Sequence, residues 1–541
     1  MDKMKQQRLL MFPKVNLRVF SVSAILILGF IVLGATFSET AGAVFSGAQD
    51  WLANTFGWAM IILVNLLLVA VVYLAFGRFG DIRLGRMDEA PEYGLFAWVA
   101  MLFSAGIGIG LIYWGAAEPL YHYFSPPVGD PETEAAARQA MTLSFLHWGF
   151  HAWAIYAVVA LSLAYFHYRK GLPLTIRSAL YPLLGDRIWG VWGDVVDILA
   201  VFGTMFGIVT SLGLGAMQIN SGLAQVFGLP QNVFVQIAVI AVITGMATLS
   251  VVAGLDGGIK RLSSINIVLS LLFLVFMVIV GPTLFIFDLY VQSYGTYVRD
   301  LIDWGTWAEA WTDGGSWQND WTIFYWAWWV SWAPFVGVFV ARISKGRTIR
   351  EFLLGVMLIP ASIMFFWFCA FGGTALSISL TGDPTLVEAT RNAYGDAMFA
   401  LLDYFPFASV TSGFAIILIV MWFVTSSDSG SFVIDMLTAG GDPNPPKVQR
   451  IFWAISEGAV ASVLLLAGGL SALQAAAVIA GFPFAIVVLL ILIGLIKALR
   501  WDPLMVWRHN QQYRNDAEAD HAMPPELPGE LFAQPQTKPA E

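Results

Sequence analysis

The chain has 541 residues, 58% of them hydrophobic and only 12% charged, whereas soluble domains carry about 25% charged residues. An ordinary water-soluble domain is excluded, and a net charge of −9 excludes a nucleic-acid partner, which requires a basic face. The single cysteine, Cys369, lies in an apolar run, so intrachain disulfides and multi-cysteine metal clusters are excluded as well.

Crossing the hydrocarbon core takes about 20 apolar residues in a helix. In chain order, ten windows without Asp, Glu, Lys or Arg are long enough: 19–38, 51–77, 93–117, 139–168, 198–255, 262–287, 321–341, 352–382, 404–427 and 458–496. The first lacks a small-residue cleavage pattern and is expected to stay as a span rather than be removed as a signal peptide. The fifth holds two helices separated at 228–232. The last breaks near Gly468 and Gly469, its first helix reaching back to about Ile451. Twelve membrane helices are therefore expected.

Threading twelve helices from a cytoplasmic N-terminus places 25 of the 28 Lys and Arg residues on the inside, leaving only Arg138, Arg299 and Arg391 outside. This is the distribution expected of a multi-pass protein of the plasma (inner) membrane with both termini cytoplasmic, and one helix more or fewer would scramble it. Two external stretches, 288–320 and 381–405, have polar and aromatic residues at helical spacing and are expected to lie as amphipathic helices on the outer surface. The tail beyond Trp501 is rich in proline and acidic residues, and its end is expected to be disordered.

A helix in lipid must satisfy its own backbone, so a mid-membrane break survives only where it is buried or lines a cavity. Helix three carries Ser104, Ala105 and Ile107 among the alternate glycines 106, 108 and 110. Close helix packing would also account for small residues at this spacing. Helix eight carries Trp326, Trp328, Trp329, Trp332 and Pro334 at the same depth. Interfacial tryptophans belong at the two rims, whereas Trp328, Trp329 and Trp332 share one helical face at the centre. Pro334 removes a helical hydrogen bond. Indole faces attract a quaternary ammonium, which has no N–H donors left to satisfy, by about 0.5 to 2 kcal/mol per ring. A carboxylate on the same ligand suits free N–H groups around Gly106 and Gly108.

A zwitterion bridging helices three and eight satisfies both observations. These two helices run in opposite directions and five helices separate their starts, which suggests inverted repeats, the first helix of each interrupted. The expected organisation is an N-terminal tail (1–15), helices one and two (16–77), a first repeat (92–288), the external segment (289–320), a second repeat (321–499) and a C-terminal tail (500–541). The expected fold class is thus an all-α integral membrane protein, with two extra helices preceding a five-plus-five core.

At these residues the chain resembles the betaine/choline/carnitine transporter family. The likeness rests on Gly106-Ile-Gly-Ile-Gly110 followed by Glu118-Pro119, on the run from Trp326 to Phe335, and on the run from Ala341 to Arg350, in that order, and extends from about residue 16 to about residue 500. The resemblance implies a carrier of quaternary ammonium or sulfonium zwitterions, assembled as a homotrimer. It implies an aromatic box of Trp328, Trp329 and Trp332 with Trp148 and Tyr156, completed by the segment Ala105, Gly106, Ile107 and Gly108. It also implies a coupling sodium between carbonyls near Ser104 and Ile107 and residues Trp422, Thr425 and Ser426, with no other cofactor. A second family sodium site is matched by Thr204 and Phe335, but Ile208 stands where a second threonine belongs, which puts the stoichiometry in doubt. The family's exchangers have an arginine on helix five; here no Lys or Arg lies between Arg187 and Lys260, which argues for symport. Proton-coupled choline carriers tend to end the glycine motif in Asp, where this chain has Gly110.

The alternative within this fold is a proton-coupled choline or carnitine carrier. From other classes, an intramembrane enzyme would need titratable groups clustered at one depth, and a channel would need rings of charges or carbonyls along a pore. His147 and His151 lie four residues apart, yet without the glutamate of a zinc-protease helix; hydrogen bonding at the outer end is the expected role. Asp428, Asp435 and Glu457 are intramembrane carboxylates, expected to bond to Ser and Thr neighbours.

Overall fold

The computed structural model describes residues 15–106, 108–253, 259–311, 317–442 and 444–506. Among these residues every regular element is helical, with a single isolated bridge between Arg83 and Thr348. The longer helices, in chain order, are α1 (Leu17–Thr36), α2 (Ser38–Phe76), α3 (Leu95–Gly106), α4 (Ile109–Phe124), α5 (Glu134–Trp148), α6 (Phe150–Ala164), α7 (Val191–Phe227), α8 (Val233–Ala253), α9 (Ile259–Val280), α10 (Thr283–Thr306), α11 (Phe324–Arg342), α12 (Ile349–Phe368), α13 (Ala408–Thr438), α14 (Lys447–Gly468) and α15 (Leu470–Arg500). Among the described residues, those up to 495 form one compact unit and those from 496 to 506 belong to a second.

Ten helices among the described residues are long and apolar enough to span a membrane, or up to 11 if the bent pair Ser264–Val280 and Thr283–Thr306 counts as one. The expectation of twelve also counts α3 with α4. These have 12 and 16 residues, and neither half alone is a full crossing. α9 and α10 meet at 109°. The turn comes at Gly281 and Pro282, where proline ends one helical ladder and starts the next.

Local chemistry explains most boundaries. Thr348 and Glu351 form a reciprocal capping box at the start of α12, satisfying two N–H groups that a helix start leaves open. Gly228 closes α7 in the left-handed region, at φ 70°, and Gly469, at φ 60°, separates α14 from α15. Apolar side chains such as Ile25, Val32, Leu249 and Ile279 are exposed, as expected of a surface solvated by acyl chains. α11 is the opposite case: Tyr325, Trp326, Ala327 and Val330 are fully buried. Glycines allow neighbours to reach it; an added Cβ at Gly203 of α7 would stand 3.0 Å from the Ser331 carbonyl oxygen, and one at Gly481 of α15 would collide with the Ala327 carbonyl. Close backbone approach at small residues is how helices associate in lipid.

Two expectations about interruptions are corrected. α11 continues through Pro334 without a break, preceded by a π-turn at Asn319–Ile323. The Ser331 hydroxyl donates to the Trp328 carbonyl at 2.7 Å, and dense packing holds the proline within the helix. The fourth span, read as one helix, is divided at Gly149 (φ −94°, ψ −136°) into α5 and α6. There the Phe150 N–H donates to the Tyr297 hydroxyl at 3.0 Å, and the His147 carbonyl accepts from the Trp329 indole at 2.8 Å.

Candidate functional site

The third span is interrupted before Gly108, which is extended (φ −155°, ψ −174°) and starts α4. The first N–H groups of a helix have no partners within it and carry its positive dipole end. Here that end faces a cavity of about 650 Å³ lined by Gly108, Ile109, Gly110 and Leu111. Gly110 is tightly placed: a Cβ there would lie 3.0 Å from ring carbons of both Trp148 and Trp328, which would have to give way slightly.

The opposite walls are aromatic. Trp148, Trp153 and Tyr156 come from the divided span α5–α6, and Trp328, Trp329 and Trp332 from α11. Trp328 and Trp329 stack at 4.6 Å with planes 16° apart. Trp148 meets Trp329 edge-on at 4.9 Å, and Tyr156 meets Trp329 at 6.3 Å. The indole N–H of Trp328 donates to the Gly207 carbonyl at 3.1 Å, and Gly207 leaves no room for a side chain against Trp332. The Trp332 N–H has no partner among the described residues. Thus Trp148, Tyr156, Trp328, Trp329, Trp332 and Gly108 converge on one cavity. Ile107 lies outside the described residues, as do the side chains of Ser104, Ala105 and Gly106.

Oxygen-bearing side chains of α13 line the same cavity. Trp422, Thr425 and Ser426 all reach it, as does Phe335. The Thr425 hydroxyl accepts from the Asn266 amide at 2.9 Å and bonds to the Met421 and Trp422 carbonyls. A hydroxyl oxygen has two lone pairs, so one is left for a cation. Thr204 is fully buried and lies outside the lining, without a hydrogen-bond partner among the described residues. The intramembrane carboxylates are bonded partly as expected: Asp428 accepts from Ser250 at 2.7 Å, and Glu457 from Ser427 and Ser431 at 2.9 and 3.0 Å. Asp435 is a correction: it pairs with Arg450 of α14, at 3.2 Å.

A buried polar cluster stands directly behind the aromatic wall. Glu118, His122 and His147 are fully buried. Glu118 Oε2 accepts from the Trp148 indole at 2.8 Å and from the Tyr325 hydroxyl at 2.5 Å. Its Oε1 lies 2.6 Å from His147 Nδ1 and 3.5 Å from His122 Nε2. His147 Nε2 contacts the Thr322 hydroxyl at 3.0 Å, and at Nδ1 the ring donates to the Glu118 carboxylate, which as an anion only accepts. These three ligand types lie within 4.8 Å of one another, but ligands on a tetrahedral zinc ion stand about 3.3 Å apart, so a 2.6 Å contact is a hydrogen bond. His151 turns elsewhere, 3.2 Å from Asn65 and stacked on Trp326, because the break at Gly149 separates it from His147. Sequence reasoning used Glu118 as the end of an apolar window and, with Pro119, as part of the family motif, without giving it a role at the site; its place two turns after the glycine run was the available signal.

An all-helical membrane protein with an aromatic cavity at a helix break has the construction of a carrier for a small organic solute. The chain belongs to the betaine/carnitine/choline family transporters, whose family model matches residues 18–504. It is therefore a multi-pass membrane transporter, not an enzyme. A glycine betaine transporter of Acinetobacter baylyi is 44% identical over 492 residues, covering 91% of this chain and 74% of that one. A glycine betaine transporter of Bacillus subtilis is 44% identical over 471 residues, covering 87% and 91%. A glycine betaine/proline/choline transporter of Vibrio parahaemolyticus is 43% identical over 504 residues, covering 90% and 90%.

Proposed function

We propose that this chain takes up a quaternary ammonium or sulfonium zwitterion such as glycine betaine by sodium-driven symport across the plasma (inner) membrane. The observation that carries the reading is the cavity, in which stacked and edge-on indoles stand opposite a helix N-terminus. The methylated cation sits against Trp148, Tyr156, Trp328, Trp329 and Trp332, where rings supply attraction without requiring a hydrogen bond. The carboxylate takes the free N–H groups at the start of α4, from Gly108 onward, beside the segment Ala105, Gly106 and Ile107.

Sodium is held by Thr425 and Ser426 beside Trp422, together with carbonyls near Ser104 and Ile107, since hard cations take oxygen ligands. Thr204 with Phe335 supplies too few oxygens for an independent second site, because Ile208 contributes none. α7 carries no Lys or Arg that could replace the ion. Twelve crossings, cytoplasmic termini and a homotrimer complete the reading. The test is uptake of a labelled zwitterion panel into proteoliposomes with and without a sodium gradient. Saturable, sodium-dependent accumulation of glycine betaine, reduced in Ser426→Ala, is the expected outcome. Uptake that ignores sodium and follows a pH gradient would reassign the coupling to protons.

A further inference from the structure

We propose that Glu118, which is outside the cavity, tunes the cage for a cationic ligand by holding and polarising Trp148; this rests on the reading that the aromatic cavity binds the zwitterion. The Trp148 indole has its ring on the cavity wall and its N–H on Glu118 Oε2, at 2.8 Å. A carboxylate accepting that N–H withdraws positive character from the edge of the ring and leaves its π-face richer in electrons. Cation–π attraction is electrostatic and grows with that density. The charge-assisted bond also fixes the ring's rotation, since it is shorter and stronger than one between neutral groups.

The remaining contacts of Glu118 make it a rigid anchor. Tyr325, one turn before Trp329 on α11, donates to the same oxygen, and its ring stands 5.7 Å from Trp329. His147 donates to the other oxygen, while its own carbonyl accepts the Trp329 indole N–H at 2.8 Å. Trp148 and Trp329, which meet edge-on, are thus tied to one carboxylate, the first directly and the second through His147. All of these groups are buried, and the Glu118 side chain is 0% exposed, so water cannot take over the bonds if the carboxylate is removed.

The consequence is selective. Glu118 should favour a ligand with a positive headgroup over a ligand of the same shape whose headgroup is uncharged, a distinction that a purely structural residue would not make. The experiment compares the binding of glycine betaine and of 3,3-dimethylbutanoate, its isostere with carbon in place of the quaternary nitrogen, to the purified full-length transporter. In Glu118→Gln, which keeps an acceptor for the indole but removes the charge, betaine affinity is expected to fall about tenfold. Affinity for the isostere, whose only charge is its carboxylate, is expected not to fall, so the ratio of betaine affinity to isostere affinity drops. Trp148→Phe keeps a ring and deletes the N–H, which gives a second route should Glu118→Gln not fold. It should lower the same ratio, and Glu118→Gln added to it should lower the ratio no further. Equal losses for both ligands, an unchanged ratio, or additive effects in the double variant would overturn the proposal. Wild-type protein that binds neither ligand would instead remove the cavity reading itself.

Discussion

Gly110 stands tight against two rings of the site. Its missing side chain leaves 3.0 Å to the tips of two indoles, so even a methyl group must displace Trp148, Trp328 or both. Overpacking of this kind costs about 1 to 3 kcal/mol. Gly110→Ala is therefore expected to lower the melting temperature by a few degrees and, because the displaced rings form the cage, to weaken betaine binding by about tenfold. Isothermal titration on purified protein, with a thermal scan alongside, checks both halves. Trp329→Ala and Trp332→Ala should each remove a wall of the cage and cost about three- to thirtyfold in affinity, the cation–π range. Normal affinity in both would take these rings out of the binding site. The spacing of Trp328, Trp329 and Trp332 is readable in the chain because a helix places such residues on one face. The roles of Glu118 and Tyr325 were not, since both bonds of Glu118 to the wall join separate elements, 30 and 207 residues apart in sequence for Trp148 and Tyr325.

Single helices are decided by chemistry that a hydropathy window does not register. Gly149 lies within a continuous apolar pattern, and an isolated glycine in such a pattern is ordinarily tolerated. It becomes a break here because Tyr297 and Trp329 satisfy the groups it frees. Pro334 is the reverse: it is a strong breaker in isolation, yet α11 passes through it under packing from all sides. The α13–α14 pair carries a second lesson. Asp435 and Arg450 are 15 residues apart, which by sequence alone does not pair them; the turn between the helices does. Both side chains are buried, at 0% and 8% exposure. Asp435→Ala leaves an unpaired buried guanidinium and is expected to destabilise the fold by about 3 to 5 kcal/mol. Replacing both partners by apolar residues of similar volume, Asp435→Leu with Arg450→Met, should recover most of that loss. A thermal melt of the wild type and the two variants in detergent tests it, and a double variant as unstable as the single one would show that the pair does more than neutralise itself.

For the whole molecule, the apolar composition, the long uncharged windows and the placing of basic residues were enough to establish a helical membrane protein, because the bilayer imposes the same length and charge rules on any chain that crosses it. The glycine run and the tryptophan run marked where a solute could be held, since neither belongs at mid-membrane without a partner. Only the tertiary structure decided that these runs, with the divided span α5–α6 and α13, close on one cavity, and that a carboxylate backs its wall. Those contacts lie between helices far apart in the chain and depend on how closely glycine-faced helices approach, which local hydropathy and helical periodicity do not encode.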